Sequence, residues 1–371
     1  MKIDLKNLIE MKISGNRTEV KKSINKHLKI EGLNSLRFFA FFAVYCYHNI
    51  PQTTASDSIL LRMYVTIGSY GYLGVDIFFV LSSFLLTYLG IQEKKRTNNF
   101  SIKNFLIRRI LRIFPLYYLM LFLCFVALPL LSRITSISVS LPEHKWYYLF
   151  FLSNYDKDQY LFALRFLWTV AIEEQYYWTW AFCLLILRKN FIFATIFFFF
   201  AYIIVFFILP GWNIHLPDNP LIYLVNFATG SILAIYYSYK RSEINSPFLL
   251  LLLLIISGVL WFQQFNIFVT KIFLCSAIAS FILLLNIFYK KANVKNNFLY
   301  KLFEELGKYT YGLYVYSGLI ITAFLFTIKR FHLAAPLYLV FFSQLLILLI
   351  VAKVSYKWYE EKFLRLSNKF R

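Results

Sequence analysis

Two titratable side chains bracket the apolar run LRFFAFFAVYCYHNI: Arg37 near its start and His48 near its end. On a helix their eleven-residue separation is about three full turns, so both share one face roughly 16 Å apart. Charged groups at membrane depth are costly, and where they occur they mark ligand or proton paths. Neutral imidazole works as a general base near neutral pH, and guanidinium recognises anionic oxygens through its planar fork. The plainer reading makes Arg37 a snorkelling residue and His48 a hydrogen-bonding partner between helices. Their shared face favours a functional track.

Other groups join them. Asp76 lies in GYLGVDIFFVLSSFLLT, and Glu173 and Glu174 lie in LWTVAIEEQYYW. Adjacent helical residues point about 100° apart, so only one of the two glutamates can face His48 squarely. Glu174 is expected to meet a buried arginine or the water boundary. Arg109 and Arg112, in FLIRRILRIFPLYY, are three apart and share a helix face suited to bidentate phosphate recognition. Arg108, Lys103 and the EKKR run read as ordinary basic flanks. Ser82 and Ser83 have no base within sequence reach. His144, His215 and His332 fall in or beside outer loops. The four cysteines, Cys46, Cys124, Cys183 and Cys275, sit widely spaced in apolar runs, a pattern of packing residues rather than of disulfides or a metal site.

The elements that position these groups follow from composition. Of 371 residues, 60% are hydrophobic and only 15% charged, with 42 Phe and 28 Tyr. That is too little charge to cover a soluble domain, so the fold class is an all-α polytopic integral membrane protein. The net charge of +21 is not gathered into a separate basic domain, which argues against nucleic acid. Apolar runs of spanning length occur near 33–50, 69–91, 110–131, 169–187, 190–210, 221–238, 247–263, 270–289, 310–328 and 336–354. Pro129 is expected to bound the third. With both termini cytoplasmic, most of the 39 Lys and Arg fall inside, as the positive-inside bias requires. The domain layout is a basic tail over 1–32, ten spans over 33–366 and a short tail over 367–371. Loop 132–168 is the one long outer loop, read as a partly ordered lid.

Taken in order, these stretches resemble the membrane-bound acyltransferase 3 family, which transfers acyl groups, often acetyl, to sugars and other acceptors. LRFFAFFAVYCYH resembles its first-span motif of arginine and histidine with ten residues between. GYLGVDIFFVLSSFLLT is similar to its GVDLFFVLSGF pattern, RRILRIFPLYY to its Arg-x-x-Arg stretch and LWTVAIEEQYYW to LWSLxxEEQFY. KYTYGLYVYS and WYEEKFLRL resemble two later stretches. Ser83 stands where the family usually has glycine, Ser317 where a second histidine is common, and Lys362 where the closing stretch has proline.

The resemblance implies a mechanism. Acetyl-CoA, or another acyl-CoA, would bring its phosphates from the cytoplasm to Arg109 and Arg112, with Arg37 as a third positive charge along the track. His48 would deprotonate an acceptor hydroxyl or carry the acyl group, with Glu173 or Asp76 orienting the imidazole. The implied acceptor is a cell-surface carbohydrate or lipid-linked sugar, the implied location the cell inner (plasma) membrane among its lipids, and no metal is implied. The alternatives are a transporter or flippase using a His48, Asp76 and Glu173 proton relay, and a polysaccharide polymerase, for which loop 132–168 is small.

Overall fold

The computed structural model describes residues 30–51, 58–135, 139–156, 161–208, 219–239, 274–283, 297–332 and 336–370. Every regular element among them is helical: α1 (Leu33–His48), α2 (Ile59–Gly68), α3 (Leu73–Thr97), α4 (Ile102–Phe122), α5 (Leu128–Thr135), α6 (Lys145–Leu149), α7 (Leu167–Ile186), α8 (Phe191–Ile208) and α9 (Leu224–Tyr239). Then come α10 (Leu274–Leu283), α11 (Phe298–Leu306), α12 (Thr310–Phe331), α13 (Leu337–Ser355) and α14 (Glu361–Ser367). Five continuous stretches are long and apolar enough to cross a membrane: Ile59–Thr97, Ile102–Arg133, Pro220–Tyr239, Phe298–Phe331 and Leu337–Phe370. Helices α1, α7, α8 and α10 coincide with four more expected spans, and the expected span 247–263 lies outside the described residues. Large apolar side chains such as Leu185, Phe193, Phe200, Phe342 and Ile350 face outward, the arrangement lipid selects and water does not.

The third expected span ends differently from its sequence reading. Helix α4 does not stop at Pro129 but runs through a π-helical turn, Leu123–Ala127, into α5. A proline lacks the amide its helix needs and crowds the carbonyl four residues back. Here that carbonyl belongs to Phe125, inside the π turn, where the wider hydrogen-bond register accommodates it.

Helix α1 holds the candidate residues, and its ends are well defined. It begins at Gly32, whose φ of 85° suits glycine alone. The backbone amide and hydroxyl of Ser35 both donate to Glu304 Oε1 of α11, at 3.1 and 3.0 Å. A carboxylate thus satisfies an otherwise orphan first-turn amide and opposes the positive end of the helix dipole. The helix ends at Asn49, whose side-chain amide donates to the Tyr45 carbonyl at 2.9 Å, just before Pro51 disfavours further helix at Ile50.

Small residues bring the helices close. A Cβ at Gly74 of α3 would lie 2.2 Å from the Ala40 carbonyl oxygen of α1. A Cβ at Gly230 of α9 would lie 2.0 Å from Ser83 Oγ and 2.2 Å from the Val80 carbonyl oxygen of α3. The serine at the usual glycine position is therefore accommodated by a glycine opposite it. Its hydroxyl donates to the Val80 carbonyl at 3.0 Å, so no polar group is stranded there.

Candidate active site

Four helices bring their polar residues to one end of α1. Glu173 of α7 accepts from the Ser82 hydroxyl of α3 at 2.9 Å on Oε1 and from the Tyr177 hydroxyl at 2.8 Å on Oε2. The Arg109 guanidinium of α4 lies over the Tyr177 ring, 5.2 Å from its centroid, and 5.6 Å from that of Phe105. Arg109, Arg112 and Glu173 all act electrostatically on Arg37, and Glu173 acts on Arg112. The Arg37 guanidinium donates to Asn34 Oδ1 at 3.2 Å. Three arginines from two helices therefore gather around Glu173, with Glu174 and Glu360 also within electrostatic reach of Arg109 and Arg112.

These groups are surrounded by protein, yet Arg37, Arg109 and Glu173 are only half-buried and Arg112 is exposed. All four side chains therefore keep an accessible surface that a ligand can reach. The α4 backbone beside the arginines is braced from outside: the Tyr311 hydroxyl donates to the Ile113 carbonyl at 2.8 Å, and the Tyr359 hydroxyl to that of Pro115 at 3.2 Å. Glu360, buried in the π-helical turn after α13, adds a second carboxylate that acts on Arg112 and accepts from Ser355 at 3.2 Å.

His48 occupies the other end of α1, about three turns away. Its half-buried ring packs on Phe166 at 4.4 Å between centroids and edge-on to Phe162 at 5.9 Å. Exposed Arg165 lies within electrostatic reach of the imidazole. Tyr47, at 5.3 Å, completes a set of three rings around the imidazole, and among the described residues no hydrogen bond from it to Asp76 or Glu173 is seen.

Loop 132–168 touches the imidazole through Phe162 and Phe166, while its middle packs against α4 and α7. The Gln175 amide of α7 donates to the Phe151 carbonyl and to Asn154 Oδ1, each at 2.7 Å. The Tyr117 hydroxyl donates to the Tyr148 carbonyl at 2.7 Å, and the Tyr148 hydroxyl to Asp156 Oδ2 at 2.6 Å. Burial and the Asp156 contact both push the Tyr148 hydroxyl above its usual pKa, so it stays a donor. Trp146 and Tyr147, 4.0 Å apart between ring centroids, stand beside His144 on the outer side of this loop.

The expected site therefore divides in two. Arg37, Arg109, Arg112 and Glu173 come together, whereas His48 stands alone on its aromatic seat. Asp76 is buried and accepts from the Asn226 amide of α9 at 2.7 Å, so it ties α3 to α9. The two Glu173 oxygens are taken by the Ser82 and Tyr177 hydroxyls, and no hydrogen bond to His48 is seen among the described residues. Glu174 is not at a water boundary: it is buried, and its Oε1 has no hydrogen-bond partner among the described residues. Arg108 forms an ion pair with Glu93 at 2.8 Å, a structural tie between α3 and α4. Tyr177, Glu360 and Arg165 are absent from the sequence reading, and Ser82, which has no base within sequence reach, meets Glu173 only through the fold. Ser82 and Glu173 are 91 residues apart in sequence, so no local pattern links them. Tyr177 stands one turn after Glu173, the one spacing that signals contact in advance.

A family model described as an acyltransferase domain matches residues 30–355. Over 162 residues the chain is 33% identical to a Bacillus subtilis protein provisionally named a peptidoglycan O-acetyltransferase, covering 42% of this chain and 23% of that one. Over 168 residues it is 28% identical to the peptidoglycan O-acetyltransferase of Listeria monocytogenes, covering 43% of this chain and 25% of the relative. A provisionally named O-acetyltransferase of Staphylococcus aureus is 31% identical over 169 residues, 44% of this chain and 26% of the relative. The match thus spans about a quarter of the length of these relatives. No solved structure matches the chain.

Proposed function

The chain belongs to this acyltransferase family, and from that premise we propose that it moves an acetyl or similar acyl group from cytoplasmic acyl-CoA to a hydroxyl of an envelope carbohydrate. The observation that carries the reading is the polarity of α1. A cluster of Arg37, Arg109 and Arg112 lies at one end, and a histidine packed among aromatic rings lies at the other. A coenzyme A donor has that same polarity, with phosphates at one end and a thioester at the end of a slender arm. In this proposal the two ends of the donor meet the two ends of the helix, roughly 16 Å apart.

The chemistry then balances with the groups present. His48 accepts the proton of the acceptor hydroxyl as its oxygen attacks the thioester carbonyl. The C–S bond breaks, and the imidazolium returns the proton to the departing thiolate. Carriage of the acyl group by His48, with a second step to the acceptor, uses the same residues. Glu173 is assigned to the donor end, where it and Tyr177 hold the Arg109 fork in place. Asp76 is assigned to positioning α3 through Asn226. Ten spans with both termini cytoplasmic, in the plasma membrane, place the arginines inside and His48 toward the outside.

The names of the relatives point to a wall or surface glycan as acceptor. Mass spectrometry of surface glycans from cells with and without the gene tests this. Loss of ester-linked acyl groups is the expected result, and an unchanged glycan profile would overturn the proposal.

A further inference from the structure

The surface around His48 carries a charge that the proposed proton transfer does not use. Arg165 stands just before α7, and its guanidinium lies over the Phe162 ring, 5.2 Å from the centroid. Phe162 in turn meets the imidazole edge-on at 5.9 Å. Arg165 is exposed, and it is the charged side chain that acts on His48. Among the described residues no carboxylate forms an ion pair with it.

The seat of this arginine is rigid. The tight turn Phe162–Leu164 buries Ala163 and Leu164, and the Arg165 amide donates to the Phe162 carbonyl at 3.1 Å. Helix α12 presses on the turn at Gly318. A Cβ there would lie 2.6 Å from the Ala163 carbonyl oxygen and 2.9 Å from that of Phe162, so only glycine allows the approach. A second run of rings leaves His48 from Tyr47, whose centroid is 5.3 Å from that of the imidazole. Tyr72 follows at 6.1 Å from Tyr47, and Tyr70 at 6.5 Å from Tyr72. Tyr47 and Tyr70 are exposed, and a tyrosine ring offers a flat apolar face with a wet polar tip.

We infer that the acceptor is an anionic carbohydrate, its carboxylate or phosphate held by Arg165 while neighbouring sugar rings lie on Tyr47 and Tyr72. The inference rests on the acyl-transfer reading, whose acceptor it specifies. Three features select this class. A guanidinium fork matches carboxylate and phosphate oxygens. An imidazolium formed at His48 and the Arg165 guanidinium repel each other, and a negative group on the substrate offsets that repulsion at the step where it matters. A lipid headgroup would satisfy the arginine but supplies no succession of sugar rings for the tyrosines.

Equilibrium binding to the full chain in phosphatidylcholine nanodiscs tests it. The probes are three oligosaccharides of equal length: a neutral chitin fragment, one containing glucuronate and one carrying phosphate. The wild-type protein should bind an anionic probe about tenfold more tightly than the neutral one, the low end for a bond to a charged group because Arg165 is exposed. The favoured anionic probe identifies the source of the charge. Arg165→Gln should remove the preference, and Arg165→Lys should keep part of it. The preference of the wild-type protein should also shrink as salt rises, an arm that needs no variant to fold. Equal binding of neutral and anionic probes, a preference that persists in Arg165→Gln or ignores salt, or its loss on adding phosphatidylglycerol would overturn the inference. Acetyl-CoA turnover is measured separately. Turnover with equal binding overturns only the anionic acceptor, whereas absent turnover with every probe overturns the transfer reading itself.

Discussion

At His48 the side chain and the helix end are separable, because the C-terminal cap is made by Asn49 and not by the imidazole. His48→Ala should therefore leave a folded membrane protein while lowering acyl transfer by roughly 10²- to 10⁴-fold, the usual contribution of a general base. Transfer to surface glycan, measured at matched protein level in membranes, checks this, and near wild-type transfer would end the catalytic assignment. The arginines should behave differently. Arg109→Ala or Arg112→Ala should raise the KM for acyl-CoA by roughly 10- to 100-fold, the size of a lost charged hydrogen bond, with less effect on kcat. Lysine should restore only part of the loss, since it lacks the fork and stacks poorly over Tyr177. An unchanged donor KM in both variants would return the pair to topological flanking. The arginines were legible because a three-residue spacing fixes a common face. The Ser82–Glu173–Tyr177 network was only half legible, since one of its links joins helices far apart in sequence.

Between elements, one close crossing that the site depends on is that of α3 and α9, which carries both the Asp76–Asn226 bond and the Ser83–Gly230 contact. Gly230→Ala should destabilise the protein by about 1–3 kcal/mol through overpacking, read as a lower thermal midpoint in detergent. Ser83→Gly on top of it should not restore the midpoint, because the new methyl still meets the Val80 carbonyl oxygen 2.2 Å away. Full restoration would show that the crossing is set by the side chain alone. Apolar run length located most of the described helices within a few residues, since a membrane demands about 20 apolar residues whatever the partner helix is. It failed at Pro129, where a π turn lets the helix continue, and it missed α2 as a separate piece. No expected span covers 59–68: the second one opens at 69, in the turn Ser69–Tyr72 that joins α2 to α3, because the ten-residue α2 is shorter than a spanning run.

The whole molecule makes mechanistic sense only if its two ends face different compartments. In the proposed reaction the arginine cluster opens to the cytoplasm, where acyl-CoA is made, and His48 lies toward the acceptor. Charge bias argues for this, and single-cysteine labelling measures it. Ser153, in the middle of loop 132–168, is unsuitable because it is buried. Glu143 in that loop and Arg96 at the end of α3 are both exposed. In a background with Cys46, Cys124, Cys183 and Cys275 replaced, a cysteine at position 143 should react with an impermeant maleimide in intact cells. A cysteine at position 96 should react only after the membrane is opened. The two positions flank the proposed reaction path, since residue 96 follows Glu93, which pairs with Arg108 of α4, and residue 143 belongs to the loop whose Phe162 and Phe166 pack on His48. The reverse labelling pattern would place His48 at the cytoplasm. Donor phosphates and acceptor would then have to approach from opposite sides to those proposed, and cytoplasmic acyl-CoA could no longer reach the arginine cluster directly.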